Sequence, residues 1–518
     1  MLMKRIIYIG IAVLGLSSCG KLLDTEPTDR YTVESFWISE KGTIGALAGC
    51  YNSLTKTGTF GGTATVLWEE TATPNAYNYD NSAGFNVIAL GTQTAATNSA
   101  IISSRWADAY GGIGRCNTFL AHVEQSPLNS NLKVRMTAEA KFLRALYYNL
   151  LATYYGGVPL ILEEPAMEQA NIPRASRKEV VQQIIKDLDE AIAVLPVAYT
   201  TTADIGRVTK GAAMALKARV LLFEASPLIN ASGNTDQWIL AAKAAKDVMT
   251  LPGTGYALFS NYRNLFLSAN ENSTECVFDV QFKFPEYGTG FDIVLRQYNT
   301  VAPLKNLVDA YGMKDGKTKE ESSLYNPASP YANRDPRFEQ TIVYPGSTYR
   351  GSVVAPGTFV NTGFTMKKYS IYDSEPNTNM PASTDINYMI IRYADVLLMY
   401  AEAQNEALSV PDQSIYDAVE MIRKRAGLNP YLLPVGLSKS QMREVIRLER
   451  RIEFVGEGYY YTDIRRWKIA ETVMKGPIYN YAGNAILSRS FNPQRDYWWP
   501  IPQTQRDLNH ALEQNPNY

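Results

Sequence analysis

Histidine is almost missing from this chain, with two in 518 residues: His122 inside a helical stretch and His510 near the end. Neither belongs to a Glu-x-x-His or His-x-His pattern, which removes zinc-type hydrolytic sites. Cysteine is scarce as well, at Cys19, Cys50, Cys116 and Cys276. Cys50 and Cys116 fall in helices expected to pack together, so a disulfide and a pair of buried free thiols both fit. No Gly-x-Ser-x-Gly elbow occurs. Gly316-Lys317-Thr318 resembles the end of a phosphate loop, but the position needing its first Gly holds Tyr311. Charge of either sign is in no excess: 50 basic against 51 acidic residues leave −1 overall, without long runs. Nucleic-acid binding needs a cationic face and is excluded.

Aromatic residues are plentiful, with 34 Tyr, 17 Phe and 7 Trp. Tyr and Trp join an apolar body to a polar tip, which suits both cores and wet binding surfaces. The N-terminus carries Lys4 and Arg5 before a short apolar run, Ile6 to Leu16. In helix, such a run of about 11 residues reaches only half way across a ~30 Å hydrocarbon layer, so it reads as a signal peptide. Leu16-Ser17-Ser18-Cys19 matches the lipobox of bacterial lipoproteins, in which Cys19 is acylated and becomes the first mature residue. The plainer alternative is an ordinary secretory signal with a stray cysteine. No other stretch is apolar enough to span a membrane.

The chain is organised around Ile390–Trp467, three helical segments. Val396, Tyr400, Ala403 and Ala407 form one apolar stripe. A second helix is predicted from Ser414, with Asp417 three on, to a stop at Gly427. A third opens with a capping box, Ser438 and Gln441, and is predicted to bury Val445, Leu448, Ile452 and Val455. Glu444–Arg447 and Arg450–Glu453 can pair along it, yet Arg443/Arg447, Arg447/Arg451 and Glu449/Glu453 place like charges four apart. Several of these groups are therefore expected to find partners on neighbouring helices. The functional alternative is an anion site of Arg447, Arg450 and Arg451.

Arg392-Tyr393-Ala394-Asp395-Val396-Leu397-Leu398-Met399-Tyr400-Ala401-Glu402-Ala403, Arg423-Lys424-Arg425-Ala426-Gly427, Glu449-Arg450-Arg451-Ile452-Glu453-Phe454, Gly456-Glu457-Gly458 and Asp463-Ile464-Arg465-Arg466-Trp467 resemble the signature blocks of the SusD/RagB family of outer-membrane nutrient-binding lipoproteins. The ending, Trp498-Trp499-Pro500-Ile501-Pro502-Gln503 to Gln514-Asn515-Pro516-Asn517-Tyr518, resembles the family's closing motif, with Asn517 where Gly is usual. Trp106, Tyr110, Ile113 and Asn117 resemble an earlier block, and Asp309–Lys317 and Asn333–Phe338 resemble later ones. The resemblance implies a mainly α fold: tetratricopeptide-like helical hairpins in a right-handed array, packed against an irregular C-terminal region with a few short strands. It also implies a SusC-like TonB-dependent outer-membrane transporter as partner, an oligosaccharide as ligand, and a lipid-anchored outer-membrane location facing the cell exterior. Some relatives take peptides.

The pattern along the chain agrees. Helices are predicted at Lys41–Leu54, Ser99–Glu124, Asn131–Tyr155, Arg177–Leu195, Thr209–Ala225 and Asp236–Met249. The last two have the length and small-residue spacing of tetratricopeptide hairpins, without a strict period. From 270 the helix signal thins, and strands are expected near Glu275–Val280 and Asn387–Ile390. The division is 1–18 signal peptide, 19–269 N-terminal helical region and 270–518 C-terminal region. The Arg–Asp–Pro–Arg core of Asn333–Phe338 suits a turn pinned by side-chain hydrogen bonds.

Catalytic carboxylates must face each other across a substrate, so the adjacent pairs Glu69-Glu70, Glu163-Glu164 and Glu320-Glu321 read as solvated surface. No enzyme is expected; the rival class is a lipid-anchored glycoside hydrolase. Binding platforms are expected instead in two loops. Trp68, Asn75, Tyr77, Tyr79 and Phe85 lie in Thr55–Ala95; Tyr287, Phe291, Arg296 and Tyr298 lie in Pro285–Thr300. A sugar packs its C–H face on a ring and its hydroxyls on amides. The alternative is that these rings pin long loops to the body. No cofactor is expected, and a calcium ion near the loops has no sequence signature.

Overall fold

The computed structural model describes residues 33–61, 65–81, 83–96, 100–371 and 383–518; the signal segment and Cys19 lie outside them. The longer helices are α1 Glu40–Asn52, α2 Ala100–His122, α3 Ser130–Tyr155, α4 Arg177–Val194, α5 Lys210–Ala225, α6 Thr235–Met249, α7 Tyr393–Ala407, α8 Gln413–Ala426, α9 Lys439–Glu453 and α10 Tyr459–Arg466. From α1 to α8 each packs on the next, and α9 returns onto α7. The result is a tetratricopeptide-like array of helical hairpins. It continues from α6 to α7 although the whole of 250–392 intervenes. The main apolar core draws on residues from Trp37 to Leu512.

Local chemistry sets the helix ends. Ser438 and Gln441 form the expected capping box, and Ser176 and Glu179 form another. Gly427 closes α8 with φ +88, a left-handed turn that costs a residue without Cβ nothing. The start of α8 differs from expectation. Asp412 rather than Ser414 is its cap and accepts from the Ile415 N–H, while Ser414 donates to Asp412 at 2.5 Å. A carboxylate two residues upstream outcompetes the hydroxyl. Asn517 takes φ +66, a region that asparagine tolerates, so it can stand where Gly is usual. Cys50 and Cys116 are buried free thiols on α1 and α2, so the disulfide alternative is set aside. Burial, and then the Cys50 thiol, push the Cys116 thiol well up.

Strands are short: β1 Ala76–Tyr77, β2 Cys276–Val280, β3 Ala302–Pro303, β4 Ile342–Val343, β5 Thr348–Tyr349, β6 Ser352–Val353, β7 Thr365–Met366, β8 Tyr388–Arg392, β9 Gly476–Tyr479 and β10 Ala485–Arg489. The two predicted from sequence, β2 and β8, pair with each other, and Cys276 faces Arg392. The C-terminal tail is sewn back onto α3. The Trp499 N–H donates to the Tyr154 carbonyl at 2.7 Å, and the Asn515 amide donates to the Tyr155 carbonyl at 2.9 Å. Arg174 donates in turn to Asn515 at 2.7 Å.

Helix α9 departs from its apolar pattern. Leu448 is 39 % exposed, while Glu449, Arg450 and Glu453 are buried. The charges sink because partners wait for them. Arg392, fully buried at the end of β8, donates to Glu275 at 2.6 Å, Glu453 at 2.7 Å and Glu457 at 2.7 Å. Arg337 donates to Asp335 at 2.8 Å, Glu449 at 2.5 Å and Glu453 at 2.9 Å. The pinned turn at Asn333–Phe338 is thus one wall of this network, and Asp335 also caps the helix that follows it. Arg425 adds contacts to Glu275 and Glu453. In a second group, Arg450 lies 3.0 Å from both Asp395 and Asp463, and Arg466 binds Asp463 and Glu402. Arg450 is therefore saturated inside the protein and Arg451 serves Asn75 and Asn306, which removes the anion site of Arg447, Arg450 and Arg451. The Arg450–Glu453 pairing is likewise replaced, whereas Glu444–Arg447 forms at 3.3 Å.

Burial alone would raise the Glu453 carboxyl, but Arg425, Arg392 and Arg337 outweigh it and hold the group well below the usual range. A depressed carboxylate stabilises the fold above the unfolded value of about 4.5 and loses that contribution as the pH falls below it. Replacing Glu453 by Gln strands buried guanidinium charge, and urea unfolding at neutral pH should show a loss of about 3–5 kcal/mol. Between about pH 4.5 and 3 the gap between variant and wild type should narrow.

Candidate functional site

The segment after α1 turns back on itself through its own side chains. Thr73 Oγ1 donates to the Glu70 carbonyl at 2.7 Å, and the Asn75 N–H donates to Thr73 Oγ1 at 3.1 Å. The chain then runs out as β1, which pairs antiparallel with β3, Tyr77 facing Ala302 and Ala76 facing Pro303. The Leu304 N–H extends the ladder to the Asn75 carbonyl at 2.8 Å. That short ladder brings together the two loops singled out in the sequence, although its paired residues lie more than 200 positions apart. Trp68 Nε1 also crosses between them to Thr300 Oγ1 at 2.9 Å.

The second loop reaches the ladder through a helical turn, Phe291–Ile293, that widens into an i→i+5 turn over Val294–Tyr298. Asn299, with φ +47, ends it. Wide turns of this kind re-aim side chains and recur at functional positions. Asp292 anchors the turn, accepting from Arg296 Nε at 2.9 Å and from Ser370 Oγ at 2.6 Å. A third segment completes the wall: the β5–β6 hairpin, whose turn residues Arg350 and Gly351 take φ +53 and +74. Two positive φ values in succession give the turn whose twist suits a two-residue hairpin.

Between these segments lie two adjoining clefts. The larger, about 900 Å³, is lined by Arg296, Gln297, Ser352, Phe359 and Asn361 among others. The smaller, about 390 Å³, is lined by Trp68, Asp80, Phe85 and Thr300. Tyr79 and Tyr298 line both, and stand 50 % and 47 % exposed at their junction. Two half-free phenol rings flanked by amides, hydroxyls and a guanidinium can pack an apolar ligand face and meet its polar edges.

Of the residues named from the sequence, the structure thus gathers Trp68, Tyr79, Phe85, Arg296 and Tyr298 around these two adjoining clefts. Phe85 contributes only an edge, since it is 1 % exposed and packs its ring near Trp499. Tyr77 is half-buried in β1. Asn75 and Phe291 are corrected. Asn75 is fully buried; it donates to Glu70 at 2.9 Å and accepts from Arg451 at 2.8 Å, so no hydrogen-bonding end faces a ligand. Phe291 is 0 % exposed, with its ring among Tyr369, Phe282 and Tyr388. Tyr287 is 63 % exposed but lines a separate cleft of about 530 Å³ with Tyr51, Asp279 and Gln281. The hairpin and Phe359 were missed; Tyr349-Arg350-Gly351-Ser352 carried a turn signal that could have found them.

Glu69 and Glu70 also need correction, because both are buried rather than solvated. Glu69 accepts from Tyr154 and from Arg105 at 3.4 Å; Glu70 accepts from Asn75 and, at 3.1 Å, from the Gly456 N–H. Burial pushes the Glu70 carboxyl up to about 7, against the pull of those hydrogen bonds. In the Tyr287 cleft, burial likewise raises Glu271 to about 7 and Asp279 to about 6. Both are pinned by Asn387, at 2.9 Å each. Among the described residues no group of three or more His, Cys, Asp or Glu could hold a metal ion, and no helix is long and apolar enough to cross a membrane.

Residues 285–518 match the family described as the SusD family, and residues 49–222 match one described as starch-binding and associating with the outer membrane. A SusD-like protein of Formosa agariphila, P38, is 26 % identical over 99 % of this chain and 98 % of its own length. The crystal structure of a SusD-like carbohydrate-binding protein from Bacteroides fragilis is 29 % identical, with a TM-score of 0.81, over 92 % of this chain and all of that one. A laminarin-binding SusD-like protein shares the fold, with a TM-score of 0.68 and 24 % identity over 93 % of this chain and all of that one.

Two outcomes check these placements. Phe291→Ala should cost about 3–5 kcal/mol in urea unfolding, because it empties a core site. For Glu70, whose folded value is raised, the stabilising contribution is full below about pH 4.5 and is lost as the pH rises through 7. Glu70→Gln should therefore gain on the order of 2–3 kcal/mol over wild type at about pH 8 and nothing at about pH 4.

Proposed function

This chain belongs to the SusD/RagB family, and from that premise we propose that it captures an oligosaccharide in the cleft between Tyr79 and Tyr298 and delivers it to a TonB-dependent outer-membrane transporter. The observation that carries the site is the pair of half-exposed tyrosine rings at the junction of two clefts, with Gln297, Asn361 and Ser352 alongside. The carbohydrate-binding and laminarin-binding relatives support a glycan as the ligand. The chain is not an enzyme, in keeping with a family of carbohydrate-binding proteins. In this reading Cys19 carries acyl chains that tether the body to the outer membrane, and the outer-membrane association of the matching N-terminal family supports that tether.

Magnitudes fit capture followed by release. Covering about 40–60 Å² of ring and sugar at ~25 cal/mol/Å² yields about 1–1.5 kcal/mol per platform. Two or three platforms, after ordering costs, give binding of roughly millimolar to tens-of-micromolar strength.

The test is affinity electrophoresis of the protein lacking residues 1–19 through gels holding laminarin, starch or xylan, with a casein-derived peptide pool as competitor. Tyr79→Ala and Tyr298→Ala should each weaken retention by about 5- to 15-fold, and together abolish it, with the circular dichroism spectrum unchanged. Full retention by the double variant would remove this site. Release of reducing sugar would favour the hydrolase, and peptide binding without glycan binding would replace the ligand class.

A further inference from the structure

The loop that carries Tyr79 is held from the far end of the chain. Arg489, the last residue of β10, is 5 % exposed and sends its guanidinium beneath that loop. One terminal nitrogen donates to the Thr73 carbonyl; the other donates to the carbonyls of Thr71 at 3.0 Å and Ala76 at 2.8 Å. The two residues that follow in this stitching hold the other end of the loop. Ser490 Oγ donates to the Leu90 carbonyl at 2.8 Å, and Arg495 donates to the Gly91 carbonyl at 2.5 Å.

Arg489 forms no ion pair among the described residues, so its charge is compensated by carbonyl dipoles alone. Burial without a counter-ion disfavours the charged form, and it pushes the guanidinium down to about 10, still cationic at neutral pH. What that placement achieves is specific. The carbonyls of Thr71, Thr73 and Ala76 converge in a buried turn that cannot satisfy them by a ladder of its own. A planar fork spreads its donors over separate atoms and reaches all three, whereas lysine gathers its three N–H donors on one nitrogen. Ala76 pairs with Pro303 in the β1–β3 ladder, so the clamp sits at the root of the junction between the two ring-bearing loops.

We infer that Arg489 is a positioning residue for the ligand cleft, fixing the turn at 71–76 and through it the stance of Tyr79 opposite Tyr298. The inference rests on the proposed capture site for its functional meaning, but its structural half is measurable without any ligand.

The experiment compares wild type, Arg489→Gln, Arg489→Lys and Arg465→Gln. Arg465 is an equally buried guanidinium that donates to the Tyr497 and Thr153 carbonyls and does not touch the loop. Hydrogen exchange should speed up by about tenfold or more in peptides covering 71–79 for both Arg489 variants, equivalent to about 1.4 kcal/mol of local protection. Arg465→Gln should lower overall stability while leaving 71–79 protected as in wild type. Millimolar guanidinium ion should restore protection to Arg489→Gln, and retention on laminarin gels should fall and recover in parallel. Unchanged protection at 71–79 in Arg489→Gln overturns the clamp. A loosened loop with wild-type laminarin retention overturns its role in positioning. If wild type itself is retained by no polysaccharide, the capture function fails, and the exchange result still decides whether Arg489 holds the loop.

Discussion

Charges that cannot reach water must find each other, and that requirement governs this fold more than any apolar stripe. Arg392 and Glu453 lie fully buried, and each is shared among several partners drawn from distant parts of the chain. Removing one member leaves the others exposed to the full desolvation cost, so the elements that carry them must arrive together. The strand ending at Arg392, the turn at Asp335–Arg337, the end of α8 at Arg425 and the buried face of α9 are thereby fixed relative to one another. Lys368 shows the strain of the arrangement: burial pushes its ammonium down to about 8 even with Glu457 at 2.6 Å.

The cleft is built on that frame but from different material. Its rings stand on short turns held by side-chain hydrogen bonds, a two-residue ladder and one wide helical turn. Arg451 links the two: it leaves the charged helix α9 and binds Asn75 and Asn306, one on each side of the ladder. The ionic interior thus props the loops that carry the rings from below. The half-exposed rings of Tyr79 and Tyr298 sit at the rim, while the strong and geometrically exacting contacts sit underneath.

Elements governed by short-range chemistry were legible in the sequence. Ser438 with Gln441 and the left-handed stop at Gly427 depend on a few neighbours, and the helical array follows from regular spacing of apolar residues. What failed depended on distant partners. The apolar positions of α9 pointed to Leu448 as buried, whereas Glu449 and Glu453 go inside because Arg337 and Arg392 come from elsewhere in the chain. Asn75 and Phe291 were chosen as loop residues of the right type, and composition cannot distinguish an amide that faces solvent from one that is spent on Glu70 and Arg451. Tyr79 and Tyr298 are of the same types and do face the cleft. The difference lies in where the turn sends each side chain, and that is decided by pairing across more than 200 residues.

The tail stitched onto α3 has a consequence for how the polypeptide acquires its shape. Tyr154 and Tyr155 are made long before Trp499 and Asn515, which donate to their carbonyls from about 350 residues further along the chain. A chain synthesised from its N-terminal side therefore carries α3 with an open seam until residues 499–515 emerge. Until that segment arrives the Tyr154 carbonyl lacks its Trp499 donor, and Arg174, at 3.1 Å, is what holds the Tyr155 carbonyl beside Trp106.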